Sequence, residues 1–134
     1  MTRVVVPVRY PLTEHSKRTL QSAVELANER DAELTVLHVD LYQNDRHVTR
    51  TALKHAAERA FGPIENARYV VRRSFLVEQA ILDEAAAEHA DVVVIGTKQL
   101  SRWRRVLRSL LGEPDVESYL EEHLNCELVT VPVR

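Results

Sequence analysis

Five short runs of apolar, mostly β-branched residues punctuate the chain, and between them apolar positions recur every three or four residues. Arg3-Val4-Val5-Val6-Pro7-Val8-Arg9 is apolar on both faces, as a buried parallel strand is. Pro7 lacks a ladder donor, so it belongs near the C-terminal end of that strand, where pairing stops. The other strands are read at Glu33–Val39, Ala67–Arg72, Asp91–Gly96 and Cys126–Val133. The fourth is wholly apolar between Asp91 and Gly96, which marks a central position in the sheet.

The intervening segments carry helical spacing. Thr13 or Ser16 caps a first helix that reaches Arg30, with Leu20, Val24 and Ala27 on its buried side. A second helix runs from about Thr49 to Phe61, stopped by Gly62-Pro63, with Ala52, Leu53, Ala56, Ala57 and Ala60 as its buried stripe. Val77, Ala80, Ile81 and Ala85 mark a third helix that ends near His89. Val116, Leu120 and Leu124 mark a last one from about Pro114. The predicted order is β-α-β-α-β-α-β-α-β, an α/β fold over residues 1–134. It is a single doubly wound, five-stranded parallel sheet with helices on both faces. Ligands of such sheets sit beyond the carboxyl ends of the strands, where the strand order reverses. The candidate ligand surface is therefore residues 9–13, 39–41, 72–75 and 96–101.

Composition changes this picture little. The 134 residues are 45% hydrophobic and 28% charged, which suits one packed core. The net charge of -2 argues neither for a nucleic-acid binder nor for a disordered acidic tail, and nucleic acid is not an expected partner. A single cysteine, Cys126, suits a reducing compartment, and opening a buried strand it reads as an apolar filler. No apolar run approaches the roughly 20 residues of a membrane span. Met1-Thr2-Arg3 enters the first strand at once, so no signal peptide is expected. Glycine is scarce: only Gly62, Gly96 and Gly112. Loops that wrap phosphates with backbone N–H groups usually need several.

Four segments in order resemble the universal stress protein family: Val4–Val8, Ala32–Val39, Ala90–Thr97 and Asn125–Val131. The resemblance covers nearly the whole chain. It implies a flavodoxin-like, Rossmann-related sheet of order 3-2-1-4-5, a cytoplasmic protein tied to stress responses, and a homodimer formed through the last strand, Cys126 to Val133. In members that bind ATP, with magnesium, it implies an acid just after the first strand and a G-x-x-G-x9-G-[ST] loop after the fourth. Here Arg9 and Tyr10 stand where the acid is expected. Gly96 matches the first glycine, but Gln99 and Ser109-Leu110 occupy the later positions, and Gly112 comes three residues late, followed by Glu113. The expected function is a non-catalytic stress-response binding domain with a degraded ATP loop, with no cofactor required and a protein partner or small anion as its ligand. The alternative is a nucleotide binder whose arginines replace the loop contacts.

Arg9, Tyr10, Val39, Gly96, Thr97, Lys98, Arg102 and Arg105 are the residues expected at such an anion site. Lys98, Arg102, Arg104, Arg105 and Arg108 form a run without an acid, in which Trp103 offers a surface for a base. The same run reads as an amphipathic helix that buries Leu100, Trp103, Leu107 and Leu110. Glu113, Asp115, Glu117, Glu121, Glu122 and Glu127 follow, so the two stretches can pair, within the chain or across a dimer. Arg9, Arg72 and Arg73 at the strand ends either make the ligand edge cationic, which suits a small anion or nucleotide phosphate, or bridge to Asp40 or Glu14, the favoured reading. The six histidines show no metal-site spacing, His38 reads as structural, and no G-x-S-x-G elbow is present. No residue pattern points to an enzyme.

Overall fold

A computed structural model describes residues 2–44, 47–112 and 115–132. Its five strands are β1 (Arg3–Pro7), β2 (Glu33–Leu41), β3 (Ala67–Ser74), β4 (Val92–Gly96) and β5 (Glu127–Val131). They form one parallel sheet of order β3-β2-β1-β4-β5. The helices are α1 (Glu14–Arg30), α2 (Arg50–Phe61), α3 (Val77–Glu88), α4 (Thr97–Leu111) and α5 (Val116–Leu124).

Strand side chains alternate between the two faces, so each strand feeds two cores. Val4, Val6, Leu34, Val36, Val92 and Val94 pack with Leu20, Ala23, Leu53 and Ala57 of α1 and α2. Val5, Leu37, Val93 and Ile95 pack with Ile81, Trp103, Leu107, Val116 and Leu120 of α3, α4 and α5. Pro7 closes β1 at its last pairing with Leu37, and the Val8 N–H then donates to the Leu37 carbonyl at 2.8 Å. Thr13 and Thr49 cap α1 and α2 by accepting from the N–H groups of Ser16 and Ala52.

Four readings change. The basic run is a helix in its own right, α4, so five helices rather than four separate the strands. Its opposed faces carry Leu100, Trp103 and Leu107 inward and Arg104, Arg105 and Arg108 outward. The buried stripe of α2 is only Leu53 and Ala57, with Ala60 exposed, because this helix covers the β3 edge of the sheet. Strand β5 begins at Glu127. Cys126 precedes it, buried in the core, and burial pushes its thiol up to about 11. Val133 lies outside the described residues, as do Glu113 and Pro114.

The fourth concerns the arginines. Arg72 pairs with Glu84 of α3, Arg73 lies 4.9 Å over the Tyr42 ring, and Glu14 pairs with Lys17. Arg68 reaches Glu88 at 3.1 Å and Glu84 at 3.9 Å, and the Thr35 hydroxyl donates to Glu88 at 2.6 Å. Glu84 and Glu88 are one helical turn apart and share this layer over β2 and β3. Burial, reinforced by Glu84, pushes the Glu88 carboxyl up. Burial also acts to raise Glu84, but hydrogen bonds with Glu88 and Arg72 outweigh it and hold that carboxyl below its ordinary value.

Candidate functional site

The chain leaves β1 through α1 toward β2, and leaves β3 through α3 toward β4 on the other side of β1. The connections diverge at the carboxyl ends of β1 and β4, and a cleft of about 490 Å³ opens there. It is lined by the end of β1 with residues 7–11, the first turns of α1, the end of β2 with Asn44 and Val48 beyond it, Val77 at the start of α3, and the start of α4.

Each wall is fixed by local chemistry. The Ser16 hydroxyl accepts from the Arg9 N–H at 2.9 Å, which holds the loop after β1 against α1. His38 Nδ1 lies 3.1 Å from the Val8 carbonyl. A carbonyl only accepts, so Nδ1 carries the proton, and in the neutral ring Nε2 is an acceptor. The Tyr10 ring stands edge-on to His38 with centroids 6.2 Å apart. Asp40, 5% exposed, accepts from the Val48 N–H at 2.9 Å and ties down the stretch after β2. Thr19 donates to the His15 carbonyl, while His15 Nδ1 is buried without a hydrogen-bond partner among the described residues.

The start of α4 supplies the positive side. Strand β4 ends at Gly96 and the helix starts at Thr97, with no loop between them. No side chain among the described residues caps this end, and no acid lies in its first turn. The unpaired N–H groups of a helix start favour an anion. Gln99 in that turn donates to the buried Glu78 carboxylate of α3 at 2.6 Å. Lys98 and Arg102 line the cleft from α4, and Arg9 lines it from the opposite wall, against the single carboxylate of Asp40.

Six of the eight expected residues come together here: Arg9, Tyr10, Val39, Gly96, Lys98 and Arg102. Thr97 and Arg105 are not part of the lining. Side chains on a helix turn by about 100° per residue, and Arg105 lies ~10 Å along the axis from Lys98. Residues 72–75 do not line the cleft either, because β3 is the edge strand, two strands away from the switch point. Trp103 offers no surface to a base, being fully buried between α4 and the sheet. Of the pairs expected between α4 and the acidic helix, Arg104 and Glu117 approach to 3.9 Å. His15, Ser16, Thr19 and His38 join the lining unannounced by any motif, whereas Asp40 and Gln99 fall within the expected surface of residues 39–41 and 96–101. Their only signal was position: the first turns of a helix and the end of a strand at the carboxyl edge. Gly96 has φ of -81°, so its backbone does not demand glycine. An added Cβ would meet Thr19 Oγ1 at 3.4 Å, ordinary contact.

Fold and site together define a doubly wound α/β domain with a cation-rimmed cleft at its switch point. The sequence profile of the universal stress protein family matches residues 1–132, and the chain belongs to that family. The fold is shared with solved members. A universal stress protein from Archaeoglobus fulgidus in complex with dAMP superposes with a TM-score of 0.60 at 17% identity, over 97% of each chain. UspA from Lactobacillus plantarum gives 0.55 at 17% identity, also over 97% of each chain. A universal stress protein in complex with cAMP gives 0.54 at 19% identity, over 95% of each. No curated protein sequence matches the chain. Among the described residues, no helix is long and apolar enough to cross a membrane.

Proposed function

We propose that this domain acts by binding rather than by turnover, and that its ligand is a nucleoside phosphate held in the switch-point cleft. The observation that carries this reading is the uncapped start of α4 opening directly on the cleft, flanked by Lys98 and Arg102. A phosphate placed there meets N–H donors, the positive end of the helix and two side-chain cations at once. Tyr10, His38 and Val39 line the same cleft, and the two rings and the His38 Nε2 acceptor would suit a base. Two related proteins of the same fold carry cAMP and dAMP, which supports the ligand class.

The biological role in this reading is stress-linked regulation in the cytoplasm, with ligand occupancy as the signal passed to a protein partner. The domain works as a homodimer through β5, whose outer edge otherwise offers unpaired backbone groups. Titration calorimetry with AMP tests the ligand. Saturable heat with a dissociation constant below roughly 1 mM is expected. A flat titration up to several millimolar rejects the nucleotide reading. Light scattering at micromolar protein tests the dimer, and a monomer mass rejects it.

A further inference from the structure

Leu41 ends the β2–β3 ladder opposite Ser74, and just beyond it the two strand ends hold an aromatic pair in solvent. Phe75 is 73% exposed and Tyr42 is 48% exposed, and their ring centroids lie 4.7 Å apart. The Arg73 guanidinium covers the Tyr42 ring at 4.9 Å. Single exposed apolar side chains are ordinary on a protein surface. Two aromatic rings in contact, backed by an arginine, have instead the composition that dominates binding energy at protein interfaces.

The backbone beneath the pair is fixed. The Tyr42 N–H donates to the Ser74 carbonyl at 3.0 Å, and the Gln43 side-chain amide donates to the Phe75 carbonyl at 3.2 Å. The Leu76 N–H donates to the Ser74 hydroxyl oxygen at 3.2 Å, and that hydroxyl donates to the Leu76 carbonyl at 3.0 Å. Phe75 is thus held away from the core by a turn whose own hydrogen bonds keep it in shape. The rings are ordered before a partner arrives, so docking on them loses little conformational entropy.

Charge selects the partner. Arg9, Arg73, Lys98 and Arg102 all stand at this carboxyl edge of the sheet, and Arg73 makes no ion pair among the described residues. With one face on Tyr42, its guanidinium keeps the in-plane N–H groups for a carboxylate. We infer that Tyr42, Phe75 and Arg73 dock a protein segment carrying a bulky apolar side chain beside a carboxylate. The apolar side chain seats against the two rings and the carboxylate meets Arg73. This rests on the protein-partner part of the reading above and does not need the nucleotide. The patch adjoins the cleft, since Leu41, Asn44 and Val77 of the same two turns line it.

Fluorescence anisotropy of the full-length chain tests this, with labelled, blocked peptides in which leucine and tryptophan are flanked by aspartates. The same peptides flanked by lysines are the control. The aspartate peptides are expected to bind with dissociation constants below roughly 1 mM, and the lysine peptides about tenfold more weakly or worse. Phe75→Ser and Arg73→Ala are each expected to weaken the aspartate peptides about fivefold or more. Both positions are exposed, and an unchanged thermal melt shows that the variants fold. No saturable binding of the aspartate peptides overturns the inference, as does binding that survives both substitutions or that the lysine peptides match. A labelled oligouridine that binds and is lost in Phe75→Ser makes this a nucleic-acid surface and overturns it. So does a sedimentation mass that rises with concentration in the unmodified chain and not in Phe75→Ser, which makes a second copy the occupant. AMP calorimetry on the same samples reads the nucleotide separately: a flat titration beside intact peptide binding rejects the nucleotide alone.

Discussion

Gln99 of α4 donates its side-chain amide to the buried carboxylate of Glu78 on α3 at 2.6 Å. The contact ties the floor of the cleft to a helix of the sheet's second layer. It also gives a structural reason for a glutamine at a position where the family's ATP-binding pattern has glycine. Gln99→Ala leaves the Glu78 carboxylate buried without that donor, which costs about 1–3 kcal/mol. Urea unfolding of the variant checks it, and an unchanged midpoint would mean the bond carries no stability.

Lys98 and Arg102 line the cleft, whereas Arg105 on the same helix does not. Arg102→Ala is expected to weaken AMP binding about five- to tenfold, since a charge-assisted hydrogen bond to phosphate is worth roughly 1.5–3 kcal/mol at its strongest and less where solvent reaches it. Arg105→Ala is expected to leave it unchanged. Equal losses in the two variants would show that only the general positive field of α4 matters, and titration at two salt concentrations would register that field directly.

Trp103 is the largest fully buried side chain, and its indole N–H has no hydrogen-bond partner among the described residues. Trp103→Phe therefore forfeits volume but no hydrogen bond and should be far milder than Trp103→Ala, for which about 3–5 kcal/mol is expected. Equal destabilisation by the two in denaturant melts would refute this account.

The Glu84–Glu88 layer makes stability depend on pH in two opposite senses. Glu84 is held below its ordinary value, so its contribution is present above that value and is lost as pH falls through the lowered one. Glu88 is pushed up, so the folded state binds more protons than the unfolded state just above the ordinary glutamate value. Stability falls there as pH rises. Glu88→Gln, which keeps a group able to bond the Thr35 hydroxyl, should abolish the fall above the ordinary glutamate range and leave the rise below it. Thermal melts across acidic pH distinguish this from a variant whose profile merely shifts downward at every pH.

The strands, their order along the chain and their parallel pairing were legible because each is a short, mostly apolar run between polar, helix-spaced segments. Thr13 was legible as one of two candidate caps, with Ser16, for a similarly local reason: a hydroxyl one residue before a helix has few other N–H groups to reach. The extra helix α4 was visible as one of two readings of the same residues. Burial of Trp103 decided between them, because a tryptophan on the apolar face of a helix beside the sheet has a core to enter.

The buried glutamates were not legible at all. Glu78, Glu84 and Glu88 gave no signal in the sequence, since nothing local shows that α3 turns them toward Gln99, Arg72, Arg68 and Thr35. The expected partners of Arg72 and Arg73 failed for the same reason.

The sequence alone determined the alternation of strand and helix, and with it the doubly wound sheet and the edge where a ligand can sit, because periodicity and chain order are properties of neighbours. Only the tertiary structure decided which charges face the cleft. Whether an arginine such as Arg102 or Arg105 reaches it depends on the rotation of α4 about its axis. That rotation is set by the packing of Leu100, Trp103 and Leu107 against distant parts of the chain.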